Sequence, residues 1–152
     1  MTRIPDSLRV EHERLHARLA AATQQAGRTG EAARTVAKIM HPHFLREDEY
    51  AIPPLALLPR LSHGPVTPDM GDILPLVARV KEELPLMLEE HRAIVGALVE
   101  LASAATDEGQ PEWAEFAGEL RLHAQMEEEV LYPAAILVGE YVKSQLQPQG
   151  AT

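Results

Sequence analysis

His43 and Glu47 stand four residues apart, and so do His123 and Glu127. Residues at that spacing share one face of an α-helix, so each pair can aim an imidazole and a carboxylate at one point. The repetition runs further. In "HFLREDEYAIPP" and "HAQMEEEVLYPA", His43, Glu47, Glu49 and Pro53 match His123, Glu127, Glu129 and Pro133, each 80 positions on. A second pair of segments, "EHERLHARL" and "EHRAIVGAL", puts His12 and His91 in corresponding places 79 apart. Six buried polar groups are costly unless something neutralises and coordinates them. A pair of metal ions does this, and imidazole with carboxylate is a borderline donor set suited to iron, manganese or zinc. Two six-coordinate ions offer about twelve positions, of which four histidines and two bridging carboxylates fill about eight and a shared oxo, hydroxo or water bridge about two. The roughly two positions left over suit a small ligand such as O2, peroxide or nitric oxide better than a bulky organic substrate.

Helices must position these residues. Strand signals are weak, whereas helical periodicity is strong. Ile4, Leu8, His12, Leu15, Leu19 and Ala22 form one stripe, with Pro5 in a first turn and "GRTG" (27–30) ending the helix. A second helix is expected over about 31–57, a third over about 72–104 and a fourth over about 112–146. On the third, Met87, Leu88, His91, Ile94, Leu98 and Leu101 share a stripe. "LPRLSHGPVTPDMG" reads as a loop. The result is an all-α, up-down-up-down four-helix bundle, a single domain over 1–146 with a tail at 147–152. Its two hairpins repeat one another, and each is expected to supply one half of a two-metal site. Pro42 and Pro85 fall inside expected helices and predict kinks or local breaks. Pro53–Pro54 and Pro133 predict bends at matching levels of the second and fourth helices.

The set His12, His43–Glu47, His91, His123–Glu127 resembles the haemerythrin-like, or HHE cation-binding, family: His, HxxxE, His, HxxxE on successive helices. "EEVLYP" also resembles the family's continuation after the ligand glutamate, and the resemblance spans nearly the whole chain. It implies a four-helix bundle with a non-haem centre of two iron ions, bridged by the two carboxylates. Oxygen-carrying members are expected to have a second histidine four residues from the first on the third helix. Met87 and Val95 stand at those places here. His16, four after His12, is a mirrored candidate, but it lies about 80° from the centre of its stripe and reads first as solvent-facing or supporting. Relatives that repair iron–sulfur centres typically add a cysteine-bearing segment, and this chain has no cysteine. The ExxH order of ferritin-like di-iron proteins is not the order here.

Other polar residues take plainer readings. His41 and His63 are expected at the surface. Asp48, Glu49, Glu128 and Glu129 are expected to be surface or supporting residues. Glu11 and Glu90 adjoin ligand histidines, but neighbours on a helix point about 100° apart, so solvation is preferred. Tyr50 and Tyr132 read as core packing, with hydrogen bonding near the site as the alternative. "AIPPLALLPRL" and "YPAAILVGEYV" are apolar nearly all round, which fits a covered bundle end or, alternatively, a homodimer interface.

Composition limits the rest. The chain has 152 residues, 45% hydrophobic and 24% charged, within the range of a soluble globular domain. A net charge of −9 argues against nucleic acid or an anionic membrane as partner. Without cysteine, thiolate metal sites and thiol nucleophiles are excluded. The opening residues contain no apolar leader and no run reaches the ~18 residues of a membrane span, so a cytoplasmic location is expected. The function expected is binding or sensing O2, peroxide or nitric oxide at two irons. The alternatives are an enzyme consuming peroxide or nitric oxide, an iron storage or delivery or partner-binding module, and a zinc or manganese site.

Overall fold

The structure, a computed structural model, describes residues 4–147. Beyond Gln147, the expected tail lies outside the described residues. Among the described residues there are only helices, turns and connecting segments, and no strand. Helix α1 (Asp6–Thr23) begins directly after Pro5, whose fixed φ suits a helix entrance. It buries His12, Leu15, Leu19 and Ala22 along the expected stripe. Helix α2 (Gly27–Arg46) begins inside the "GRTG" that was expected to end α1. Gly27 has φ +71, a left-handed conformation that favours glycine, and it marks the turn between the helices. The free N–H groups of this helix start are capped from the other hairpin. The Glu108 carboxylate accepts from the Arg28 and Thr29 backbone N–H groups, at 3.1 and 2.7 Å, and from Thr29 Oγ1 at 2.6 Å. With its cap some 80 positions away, the start of α2 leaves no local signal in the sequence.

After α2 the chain stays helical but changes pitch. A π-helical turn (Glu47–Ala51) and a 3-10 turn (Pro53–Leu57) lead into the short helix α3 (Leu58–His63). A second 3-10 turn (Pro68–Ile73) leads into α4 (Leu74–Asp107). The segment expected as a loop therefore contains a helix and a 3-10 turn. Helix α5 (Pro111–Met126) continues through a second π-turn (Glu127–Leu131) into α6 (Tyr132–Leu146). The four rods are α1, α2 with its π-turn, α4, and α5–α6. They form the expected bundle, with α2 packed on α4, α4 on α5 and α1 on α2.

Pro42 and Pro85 do not interrupt α2 or α4. Both are exposed, so the carbonyl each proline leaves unpaired one turn earlier faces solvent. The changes of pitch fall at the π-turns instead, immediately before Pro53 and Pro133. There the Ile52 N–H reaches back five residues to the Glu47 carbonyl, at 2.9 Å, and the Tyr132 N–H does the same to Glu127. The matching bends expected from the prolines are thus single-turn π-insertions that start at the two glutamates.

Three apolar clusters fill the bundle. One, built on Leu15, Val36, Phe44, Ile94, Leu98, Phe116 and Leu120, occupies the end near the α1–α2 and α4–α5 turns. A second, with Tyr50, Ala51, Val80, Met87 and Tyr132, includes the end of the first π-turn and the residue that follows the second. A third, Met70, Ile73, Val77, Val138 and Val142, closes the far end, where Leu57, Leu61 and Val66 cover it. Thus the end of the bundle is sealed by the chain's own connecting segments. There α6 approaches α4 so closely that a Cβ on Gly139 would lie 2.4 Å from Val77 Cγ1. Between the first two clusters lies a polar layer.

Candidate metal centre

The polar layer consists of the six residues singled out by spacing. His12, His43, Glu47, His91, His123 and Glu127 are all buried, with Glu47 wholly so. They form two groups. His43 Nε2 and His91 Nε2 are 2.9 Å apart, with Glu47 Oε1 3.4 Å from the first and Glu127 Oε1 3.3 Å from the second. His12 Nε2 and His123 Nε2 are 3.2 Å apart, with Glu127 Oε2 3.6 and 3.3 Å from them. Glu127 therefore presents one oxygen to each group. The imidazole contact of Glu47 lies on the His43–His91 side, and its carboxyl also meets that of Glu127.

This arrangement differs from one half-site per hairpin. Each histidine pair takes one member from each hairpin: α2 with α4, and α1 with α5. In a square bundle each helix has two neighbours, one within its hairpin and one across. The histidine pairs span the two cross-hairpin edges, so the duplication produces the site only when the hairpins dock.

The outer ring nitrogens show a matching order. Asp48 lies 3.3 Å from His12 Nδ1, Glu90 3.4 Å from His43 Nδ1, Glu128 3.0 Å from His91 Nδ1 and Glu11 2.6 Å from His123 Nδ1. Four imidazoles thus face four carboxylates, each borne by a neighbouring helix. Glu11 and Glu90 were expected to be solvated. They do point about 100° away from their own adjacent histidine, and that direction leads to the histidine of the next helix. The signal was available in the sequence: an acid precedes His12 and His91, and an acid follows Glu47 and Glu127. Arg46 in turn pairs with Glu90.

A carboxylate at Nδ1 selects the tautomer with the proton on Nδ1 and leaves an unprotonated Nε2 pointing inward. Between His43 and His91, two such lone pairs face each other at 2.9 Å in a buried place. Glu47 Oε1 and Glu127 Oε2 are buried without a hydrogen-bond partner. These atoms together have the chemistry of a cation site: convergent nitrogen and oxygen lone pairs with their protons turned outward.

Without a cation, protons partly fill the role. Burial opposes charge on His12, but Asp48 and Glu127 outweigh it and raise its pKa to about 9. Burial and the neighbouring His91 push His43 down to about 4, so it stays neutral. Glu47 is held well above the usual carboxylate range by burial and by the charge of Glu127. Burial also resists ionisation of Glu127, yet the proton on Glu47 and the imidazoles of His12, His123 and His91 keep it ionised.

His16 belongs to neither group. It is half-buried, lies tilted against Phe44 with ring centroids 4.5 Å apart, and lies 5.9 Å from His41. Burial, with the positive fields of His41 and His12, holds its pKa below the usual value. His16 lines a surface cavity of about 250 Å3 that reaches His12, together with Arg9, Glu13, Phe44 and Asp48. His41 and His63 are exposed, as expected. Tyr50 is fully buried under the Arg79 guanidinium and hydrogen-bonds to Glu83, away from the six residues. Tyr132 does not merely pack: its hydroxyl donates to Glu47 Oε2 at 2.9 Å.

An up-and-down helical bundle with a buried layer of paired imidazoles and carboxylates defines a class of metal-binding protein. The chain matches the hemerythrin HHE cation-binding domain over residues 3–135, and it belongs to that family. No curated protein and no solved structure matches it. Family and buried cluster together fit a metal-binding protein. Among the described residues no helix is long and apolar enough to cross a membrane.

The outer carboxylates carry a testable consequence. Glu90→Gln and Glu11→Gln keep side-chain size but remove the charge that sets the tautomer of His43 and His123. Each is expected to weaken metal retention about 10–100-fold while leaving helix content unchanged. Competition against a chelator of known affinity measures this, and parental retention in both variants would contradict the role.

Proposed function

We propose that this protein holds two metal ions in the six-residue layer, in the favoured reading iron, and uses them to bind or sense a small ligand such as O2, peroxide or nitric oxide. The observation that carries the reading is the pair of inward-facing Nε2 groups at 2.9 and 3.2 Å, joined by the two oxygens of Glu127. His43, His91, Glu47 and Glu127 would hold one ion; His12, His123 and Glu127 would hold the other. When bound, an iron pair supplies open coordination positions and redox capacity toward such ligands.

The remaining contributions come from the chain itself. Asp48, Glu90, Glu128 and Glu11 keep each imidazole in its donor tautomer and orientation. Met87 and Phe44, both buried, exclude bulk water from the layer's two sides. The cavity of about 250 Å3 gives a small polar ligand a route to His12, where Arg9 and His16 line the way. A second cavity, of about 350 Å3 and mostly apolar in its lining, reaches Tyr132 and Glu128 on the His43–His91 side.

The test is metal content by mass spectrometry in untagged protein, followed by O2 exposure of the anaerobically reduced form. About two irons per chain and a new charge-transfer band on exposure are the expected result. An unchanged spectrum overturns the gas-binding reading. Two ions of another metal keep the site and overturn the iron chemistry. Less than about half an ion per chain after anaerobic loading overturns the site itself.

A further inference from the structure

We propose that Tyr132 is a seventh ligand, bound through its phenolate oxygen to the metal on the His43–His91 side. The inference rests on the two-metal reading above. The Tyr132 hydroxyl oxygen is 2.9 Å from Glu47 Oε2, 3.1 Å from His91 Nε2 and 3.3 Å from His43 Nε2. One O–H carries one proton, and Glu47 accepts it. The other two contacts therefore set oxygen lone pairs against imidazole nitrogens whose protons are turned outward, toward Glu128 and Glu90. A cation at the common centre removes that conflict. Donors about 2.0–2.2 Å from an octahedral ion lie about 2.8–3.1 Å apart when adjacent. The spacing of the hydroxyl from its neighbours is on that scale, as is the 2.9 Å between His43 and His91. A group that tunes the centre from outside meets the far nitrogen of one imidazole, as Glu11, Asp48, Glu90 and Glu128 do. Tyr132 instead touches the inward atoms of three residues at once.

The backbone explains how it gets there. In an unbroken α-helix, the residues sharing Glu127's face are three and four positions on. The π-turn inserts one residue, and Tyr132, five after Glu127, comes round to the site. The matching π-turn of the other hairpin brings Ile52 to the corresponding place, five after Glu47 and 80 before Tyr132. Ile52 is buried and offers no donor atom. The duplicated site is thus asymmetric. The His43–His91 side gains an anionic oxygen, while the corresponding place on the His12–His123 side holds the donorless Ile52. On coordination the phenol O–H bond breaks, its proton leaves to solvent and the metal–oxygen bond forms, with no change of oxidation state.

The full chain loaded with ferric iron provides the test. The parent is expected to show a visible phenolate-to-ferric band, and resonance Raman excitation within it should enhance tyrosinate ring modes that shift with ring-deuterated tyrosine. Tyr132→Phe should lose both features. Tyr50→Phe and Tyr141→Phe, which alter the only other tyrosines, should keep them. Should Tyr132→Phe fail to load or fold, the parent spectrum with these two controls still assigns the ligand. Two irons in the parent without tyrosinate modes overturn this ligand and leave the two-metal reading standing. Modes that persist in Tyr132→Phe overturn it equally. A parent that takes up no iron overturns both.

Discussion

Glu127→Ala is expected to empty both halves of the site, reducing bound metal from about two ions per chain to less than about half an ion. The reason is geometric. Glu127 sends Oε1 toward His91 and Oε2 toward His12 and His123, so the substitution removes a donor from each group and the charge between them. Glu47→Ala should behave differently, because Glu47 meets only His43 among the four imidazoles, its other contacts being Tyr132 and Glu127. That variant retains the trio His12, His123 and Glu127, and about one ion per chain is the expected content. Metal analysis after gel filtration, with far-ultraviolet circular dichroism as the folding control, separates the two. Glu127→Gln preserves volume and tests whether loss follows charge or packing. If Glu127→Ala still holds two ions, the shared role is wrong. If the two alanine variants lose metal equally, both carboxylates bridge, as spacing alone had suggested.

The contrast between these glutamates shows what the sequence contained. The HxxxE spacing places His43 with Glu47, and His123 with Glu127, on single helix faces, and the structure brings all four to one layer. His12 and His91 follow from their apolar stripes. Such information is local and helical, and periodicity transmits it well. Partnership across helices is not local. That His43 meets His91 rather than His12 depends on which edges of the bundle the layer spans, and a repeat in one dimension does not specify this. The same limit hid the Glu108 cap on α2, which lies on the opposite hairpin. Glu11 and Glu90 obey the same limit: the angle on one helix turns each carboxylate away from its neighbouring histidine, and the helix that stands beside it decides what it meets.

Pro42 and Pro85 lie mid-helix, yet their exposed positions let the helices continue. Pro53 and Pro133 follow the π-turns that alter the register at Glu47 and Glu127. A wheel with 3.6 residues per turn cannot carry phase across an inserted residue. This is why Tyr132 read as a packing residue: it reaches the site only through a five-residue step.

Metal uptake should be steeply dependent on pH. In the metal-free protein at pH 7, His12 is protonated, its pKa being raised to about 9, while burial and the charge of Glu127 hold Glu47 well above the usual carboxylate range. Both atoms must give up their protons to act as donors. His43, pushed down to about 4, has none to give. Loading the pair of ions near neutral pH should therefore release at least about one proton, from His12, and the apparent overall affinity should fall at least about tenfold for each pH unit lowered, more steeply where Glu47 also gives up a proton. A Tyr132 phenolate would add a further proton. The sign follows from the raised values: protons compete with metal below the pKa, and the His12 contribution disappears as pH rises through about 9. Below about 4, His43 joins the competition and the dependence steepens again. Titration calorimetry in buffers of different ionisation enthalpy counts the protons directly. A count near zero at pH 7 would mean that His12 and Glu47 are already deprotonated or that the metal does not engage them, and metal loading of Glu47→Ala would distinguish the two.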